Sequence, residues 1–258
     1  MNRRHFFLVM TASLFIWHSC VNEEGLKVSE EGVGTLEIEL NGISNTRATS
    51  KPLSDEEAGN FLITIYRGDE IAHETIYLKD LGKASFPAGN GYKVYAENCT
   101  AEDAESVNNG WGQRHYAGMS SAFSIHAGET TKVGVNCSVV NAGICVSFNE
   151  DIQRIFKTFN LTINDGERTI IFDKEKQESI AYFNVDETGE HAINYTIHAE
   201  GDGVGTIDKS GTKTLEKAKV SRINITYNTA GNIGLTIYVD DEFIEKSEEI
   251  IIDPESNE

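Results

Sequence analysis

The side chains able to do chemistry are few, and their spacing argues against catalysis. Beyond the first twenty positions the histidines are His73, His115, His126, His191 and His198. No two of them form the i, i+4 pair with an intervening glutamate that lets one helical face hold a zinc ion and a general base. No serine stands in a Gly-x-Ser-x-Gly elbow. Gly201-Asp-Gly-Val-Gly205 is rich in glycine but lacks the strand-to-helix setting that cradles a phosphate, and reads as a hairpin turn. Asp240 and Asp241 are adjacent and are expected in a two-residue turn, where two carboxyls cannot face each other across a sugar. No enzyme activity, cofactor or metal site is expected.

One stretch combines residues suited to recognition. Asn108-Asn-Gly-Trp-Gly-Gln-Arg-His-Tyr-Ala-Gly118 sets Trp111, Arg114, His115 and Tyr116 between glycines. Such a loop could offer an aromatic platform to a glycan or a contact to a protein partner. Equally, Tyr116 could plug the end of a β-sandwich with Trp111 covering it.

The cysteines carry a different message. A basic start, Asn2-Arg3-Arg4-His5, leads into an apolar run from Phe6 to Trp17 and then Ser19-Cys20. The run is shorter than the ~20 residues of a membrane-spanning helix, so residues 1–19 read as a signal peptide. A small residue before Cys20 resembles the bacterial lipobox, although Trp17 and His18 stand where smaller residues are usual. Lipidation of Cys20 would anchor the chain to a membrane. The acidic Glu23-Glu24 behind it resembles the signal that sends lipoproteins of Bacteroidetes to the outer face of the outer membrane. Residues 20–33, rich in Glu, Gly and Ser, read as a flexible acidic tether. With Cys20 acylated, Cys99, Cys137 and Cys145 remain. An exported chain can form one disulfide from them, and Cys99 with Cys137 is the expected pair. Their spacing does not match a zinc knuckle.

Composition narrows the partners. The formal charge is −19, and loss of Arg3 and Arg4 with residues 1–19 would move it to −21. Such a surface repels a polyphosphate backbone, so nucleic acid is excluded. With 39% hydrophobic and 24% charged residues over 258 positions, the chain can fill a sizeable core. The Asn-x-Ser/Thr sites, such as Asn98-Cys-Thr and Asn160-Leu-Thr, reflect the polar faces of strands rather than glycosylation.

Positioning these residues falls to strands. Apolar side chains alternate with period two at Thr35–Leu40, Phe61–Tyr66, Lys132–Cys137, Ile144–Phe148, Phe159–Ile163, Ile193–Ala199, Ile223–Tyr227 and Ile233–Val239. One helix is expected over Asp151–Phe159 behind an Asn149 cap. Turns are expected at Asn41-Gly42, Gly68-Asp69, Pro87–Gly91, Asn164–Gly166, Asp202-Gly203 and Ala230–Asn232. The pattern predicts an all-β chain of two tandem antiparallel β-sandwiches of immunoglobulin-like size, residues 34–140 and 143–253.

The order of Gly34-Thr-Leu-Glu-Ile-Glu-Leu40, Tyr92-Lys-Val-Tyr-Ala96, His115-Tyr-Ala-Gly118 and Val133–Val146 resembles the Bacteroidales lipoproteins grouped as domain of unknown function 4493. That family is similar in layout to the fimbrillins: a lipidated precursor, two β-sandwich domains and an early arginine. In fimbrillins a trypsin-like protease cuts after the arginine, removes the first strand and opens a groove that a neighbouring subunit's strand fills. The resemblance implies Arg47 as the processing site, although Lys51 and Arg67 are also trypsin-like positions and Arg47 could be an ordinary loop residue. Glu248–Asp253 could be a donated strand or simply the last strand of the second sandwich. The expected function is a structural or adhesion lipoprotein at the outer-membrane surface, with pilus subunits or other proteins as partners. The alternative is a glycan-binding accessory lipoprotein of a polysaccharide-uptake system.

Overall fold

All eight alternating segments fall on strands in the computed structural model, which describes residues 32–43, 50–227, 233–241 and 244–250. The N-terminal strands are β1 (Val33–Ile43), β2 (Ser50–Pro52), β3 (Leu62–Arg67), β4 (Glu70–Tyr77), β5 (Ser85–Pro87), β6 (Gly89–Glu97), β7 (Tyr116–Met119), β8 (Phe123–Ile125) and β9 (Thr130–Val139). They form one hydrogen-bonded system in the order β2-β1-β9-β7-β6-β3-β4, with β5 on β1 and β8 on β6. Alternation does what it implies: Leu36 and Leu40 of β1, Ile63 and Ile65 of β3, Val94 and Ala96 of β6, and Val133, Val135 and Cys137 of β9 meet in one core. Each large aliphatic side chain buried there stabilises the fold by roughly 1.5–3 kcal/mol.

The C-terminal strands are β10 (Ala142–Phe148), β11 (Thr158–Asn164), β12 (Thr169–Phe172), β13 (Ile180–Phe183), β14 (Glu190–Gly201), β15 (Gly205–Glu216), β16 (Lys219–Tyr227), β17 (Ile233–Asp241) and β18 (Ile244–Ile250). A five-stranded sheet, β13-β10-β16-β17-β18, and a four-stranded sheet, β12-β11-β14-β15, share a second core. Ile144, Phe148, Phe183 and Ile223 come from one sheet, and Leu161, Ile163, Phe172 and Ile197 from the other. The connection between β9 and β10 is not a loose linker. Asn141 is buried, its Oδ1 accepts from the His115 backbone N–H at 3.1 Å, and its Nδ2 donates to the Gln113 carbonyl at 2.8 Å.

Several expectations are corrected. Pairing is not wholly antiparallel, because β1 runs parallel to β9 and β10 runs parallel to β16. Short helices number four among the described residues: α1 (Asp55–Gly59), α2 (Leu78–Leu81), α3 (Ala101–Ser106) and α4 (Glu150–Ile155). The Asn149 cap is present, its Oδ1 accepting from the Ile152 N–H at 3.1 Å, but α4 ends at Ile155. Phe156 has already turned to extended backbone, and Phe159 enters the core from β11. Asn41-Gly42 is not a turn; β1 continues through it to pair with β2. Gly89–Gly91 begins β6 rather than closing a loop. Likewise β17 runs through Asp240 and Asp241, which pair with Glu245 and Ile244 of β18. The turn expected at Ala230–Asn232 lies outside the described residues. Among the described residues no helix is long and apolar enough to cross a membrane.

Candidate functional site

Two places bear on function: the loop holding Trp111, and the position of β1. The loop leaves α3, which Thr100 caps by accepting from the Asp103 N–H at 3.1 Å. Its tight path needs left-handed backbone at Asn108, Asn109, Gly110 and Gly112. At Gly112 space matters as well, since a Cβ would lie 2.5 Å from the Ala104 carbonyl oxygen.

This path leaves Trp111 half-buried against the second core. Its ring meets Phe172 of the second core edge-to-face, with centroids 4.8 Å apart, and its carbonyl accepts from the Tyr182 N–H at 2.8 Å. The neighbouring side chains are also spent on structure. Arg114 Nε donates to the Tyr182 hydroxyl at 3.1 Å and Nη1 to the Tyr116 hydroxyl at 3.4 Å. His115 is buried, with Nε2 at 3.0 Å from Glu97 Oε2. The Tyr116 N–H donates to Asn98 Oδ1 at 2.7 Å, while Asn98 Nδ2 donates to the Arg114 carbonyl at 3.0 Å. The four residues therefore come together, but as a strut joining the two cores. Of the Trp111 ring, one side meets Phe172 and Lys176 Nζ lies 5.8 Å from its centre.

Arg168, absent from the sequence-level candidates, completes the strut. Its Nη1 donates to the carbonyls of Glu105 at 2.9 Å and Gly110 at 2.7 Å. Its Nη2 reaches the Tyr182 carbonyl and, at 3.3 Å, Glu105 Oε1. Its Nε binds Asp165 Oδ2 at 3.0 Å, and its guanidinium lies 4.4 Å over the Phe183 ring. Burial raises the Asp165 pKa, but backbone N–H groups of Arg168 and Glu167 and the guanidinium outweigh it and hold the carboxyl below its usual range.

A cleft of 360 Å³ opens beside the strut between His115 and Val140 on one side and Asp186, Glu187 and Lys217 on the other. His115 is held by Glu97 rather than presented to it as a free base. No group of three or more His, Cys, Asp or Glu side chains is gathered to hold a metal ion among the described residues. The Cys99–Cys137 disulfide is not formed. Cys137 faces the first core from β9 and Cys99 sits beyond the end of β6, both as buried thiols, as is Cys145. Burial raises both pKa values, that of Cys137 to about 11, which leaves little nucleophilic thiolate. Cys20 and Arg47 lie outside the described residues.

Strand β1 is the second place. Its first residues, Val33–Thr35, pair with β5, and its last, Asn41–Ile43, with β2. Between them, over Leu36–Leu40, β9 is its one ladder partner among the described residues. The inward side chains there are Leu36 and Leu40, 3% and 2% exposed.

No curated protein matches this chain. Among solved structures, a fimbrial assembly protein from Parabacteroides distasonis is 12% identical, covering 84% of this chain and 98% of its own, with a TM-score of 0.48. The fimbrial anchor protein Mfa2 from Porphyromonas gingivalis is 10% identical, covering 80% of this chain and 98% of its own, with a TM-score of 0.39. The family model described as Domain of unknown function (DUF4493) matches residues 32–254, so the chain belongs to that family.

Proposed function

We propose that this chain is a lipid-anchored structural or adhesion protein of the bacterial outer surface, built from two tandem β-sandwiches and acting by noncovalent contact. In this reading Cys20 carries the lipid and residues 20–33 are the tether. Cleavage after Arg47 frees β1, and a strand from a neighbouring copy replaces it by β-augmentation.

The setting of β1 supports this most directly. The strand is parallel to β9, which is its ladder partner over Leu36–Leu40 among the described residues; on the other side the Leu36 N–H donates to the Ala84 carbonyl at 3.3 Å and the Leu40 carbonyl accepts from the Leu53 N–H at 3.0 Å, and Leu36 and Leu40 fill the first core from it. Its removal would leave a vacant β9 edge above an opened core, a surface that recruits another alternating strand. Arg47 lies four positions beyond the end of β1 in sequence, where a cut separates that strand from the rest of the chain. The Trp111 strut supports contact rather than catalysis, because it spends its polar and aromatic groups on joining the cores.

Intact and protease-shaved cells provide the test. Mass analysis of the surface protein should show a species beginning at Ala48, and Arg47→Ala should abolish both it and any polymer ladder. Recovery only of a form beginning at acylated Cys20 would reject strand replacement while leaving the lipoprotein reading in place.

A further inference from the structure

The β1 slot has one wall that tolerates no side chain. Gly34 is buried against the turn between β8 and β9, where an added Cβ would lie 2.3 Å from the His126 carbonyl oxygen, 2.7 Å from Ile125 Cγ2 and 3.1 Å from the Glu129 carbonyl oxygen. Two of these three atoms belong to the backbone, so rotating a side chain cannot relieve the clash. The same turn also fixes the strand in place. The Thr35 N–H donates to the Glu129 carbonyl at 2.8 Å, and the Gly128 N–H donates to the Val33 carbonyl at 2.8 Å. In register with this point, Leu36 and Leu40 are buried and Ile38 packs partly against the same core.

The slot thus reads a strand by a glycine followed at the second, fourth and sixth positions by aliphatic side chains. A one-residue slip would place the outward-facing Glu37 or Glu39 type of side chain in the core. The whole sequence contains 23 glycines, and Leu, Ile or Val stands at all three of those positions after two of them. One is Gly34; the other is Gly231, followed by Ile233, Leu235 and Ile237, with Val239 continuing the pattern. The acidic Glu248–Asp253 run contains no glycine.

We propose that the segment entering the β1 slot from a second copy is Gly231–Val239, admitted because Gly231 takes the place of Gly34. This rests on the strand-replacement reading and specifies its partner strand. Within a single chain Ile233–Val239 pairs along β16 on one side and, from Leu235, along the edge strand β18 on the other, so the exchange trades pairing on both for pairing on β9.

The test uses the full chain with a site-specific protease sequence in place of residues 44–49. After cutting, the protein is unfolded in urea and refolded with an excess of fluorescent peptide, and retained label is measured by gel filtration. Peptides of residues 32–43 and 229–241 should both be retained. Their Gly34→Val and Gly231→Val versions should be retained at least about tenfold less, since the added side chain has no room beside the turn. Equal retention of the valine versions would overturn the glycine rule. Retention of 32–43 without 229–241 would overturn the assignment of the partner segment. Failure of every peptide, 32–43 included, would instead reject strand replacement itself.

Discussion

Arg168 and Asp165 are paired with side-chain exposures of 15% and 5%, so removing one partner leaves a charge with little access to water. Arg168→Leu should cost about 3 kcal/mol in urea unfolding, and the double variant Arg168→Leu/Asp165→Leu should cost less than the sum of the two single changes. Acid titration should show the same coupling. Because the folded-state pKa of Asp165 is lowered, its contribution is present above the unfolded pKa and is lost as pH falls through the folded value. Arg168→Leu should therefore narrow the stability gap to the parent protein as pH is lowered through that window, measured by Tm at each pH. Residue type drew attention to Trp111, Arg114, His115 and Tyr116, since aromatic and charged groups between glycines are uncommon within strands. Their role was not legible, because it depends on Phe172 and Tyr182, which only the fold brings near. For Arg168 only the Asp165 pairing, three positions away beside the Asn164–Gly166 turn, is local; its partners across the seam, Glu105 and Gly110, lie 63 and 58 positions away.

At the level of elements, legibility followed the range of the interactions. Period-two alternation located eight strands because each side chain's burial is decided by its own neighbours on the pleat. It could not supply the parallel pairing of β1 with β9, which joins positions almost a hundred residues apart. Nor could Asn41-Gly42 reveal that β1 continues, since a dipeptide that favours a turn is overridden where β2 and β9 both pair with it. The α4 cap was local and therefore readable. Asn149→Ala should cost about 1 kcal/mol by chemical denaturation, whereas Asn149→Asp should retain most of that stability by keeping an acceptor for the Ile152 N–H. Loss greater than the cap alone is worth would assign the remainder to a second contact, the Tyr227 N–H that approaches Asn149 Oδ1 at 3.4 Å.

For the whole molecule, the seam determines whether two cores behave as one. Two all-β halves joined through Val140 and Asn141 could unfold separately, but Trp111 of the first half packs on Phe172 of the second, and Arg168 reaches back to Glu105 and Gly110. The sequence contains two tryptophans, Trp17 and Trp111, so a chain lacking residues 1–19 keeps Trp111 as its one tryptophan, placed at the seam. Tryptophan fluorescence then reports the joint between the halves, while far-UV circular dichroism reports strands throughout. In the parent protein the two signals should change at the same urea concentration, the behaviour of a single cooperative unit. In Arg168→Leu the fluorescence change should come at lower urea than the loss of ellipticity, because the seam opens before either core melts. Coincident curves in that variant would show that the contacts left in place, Trp111 with Phe172 and Arg114 with Tyr182, couple the halves without Arg168. Separate curves in the parent protein would show that the strut does not couple them.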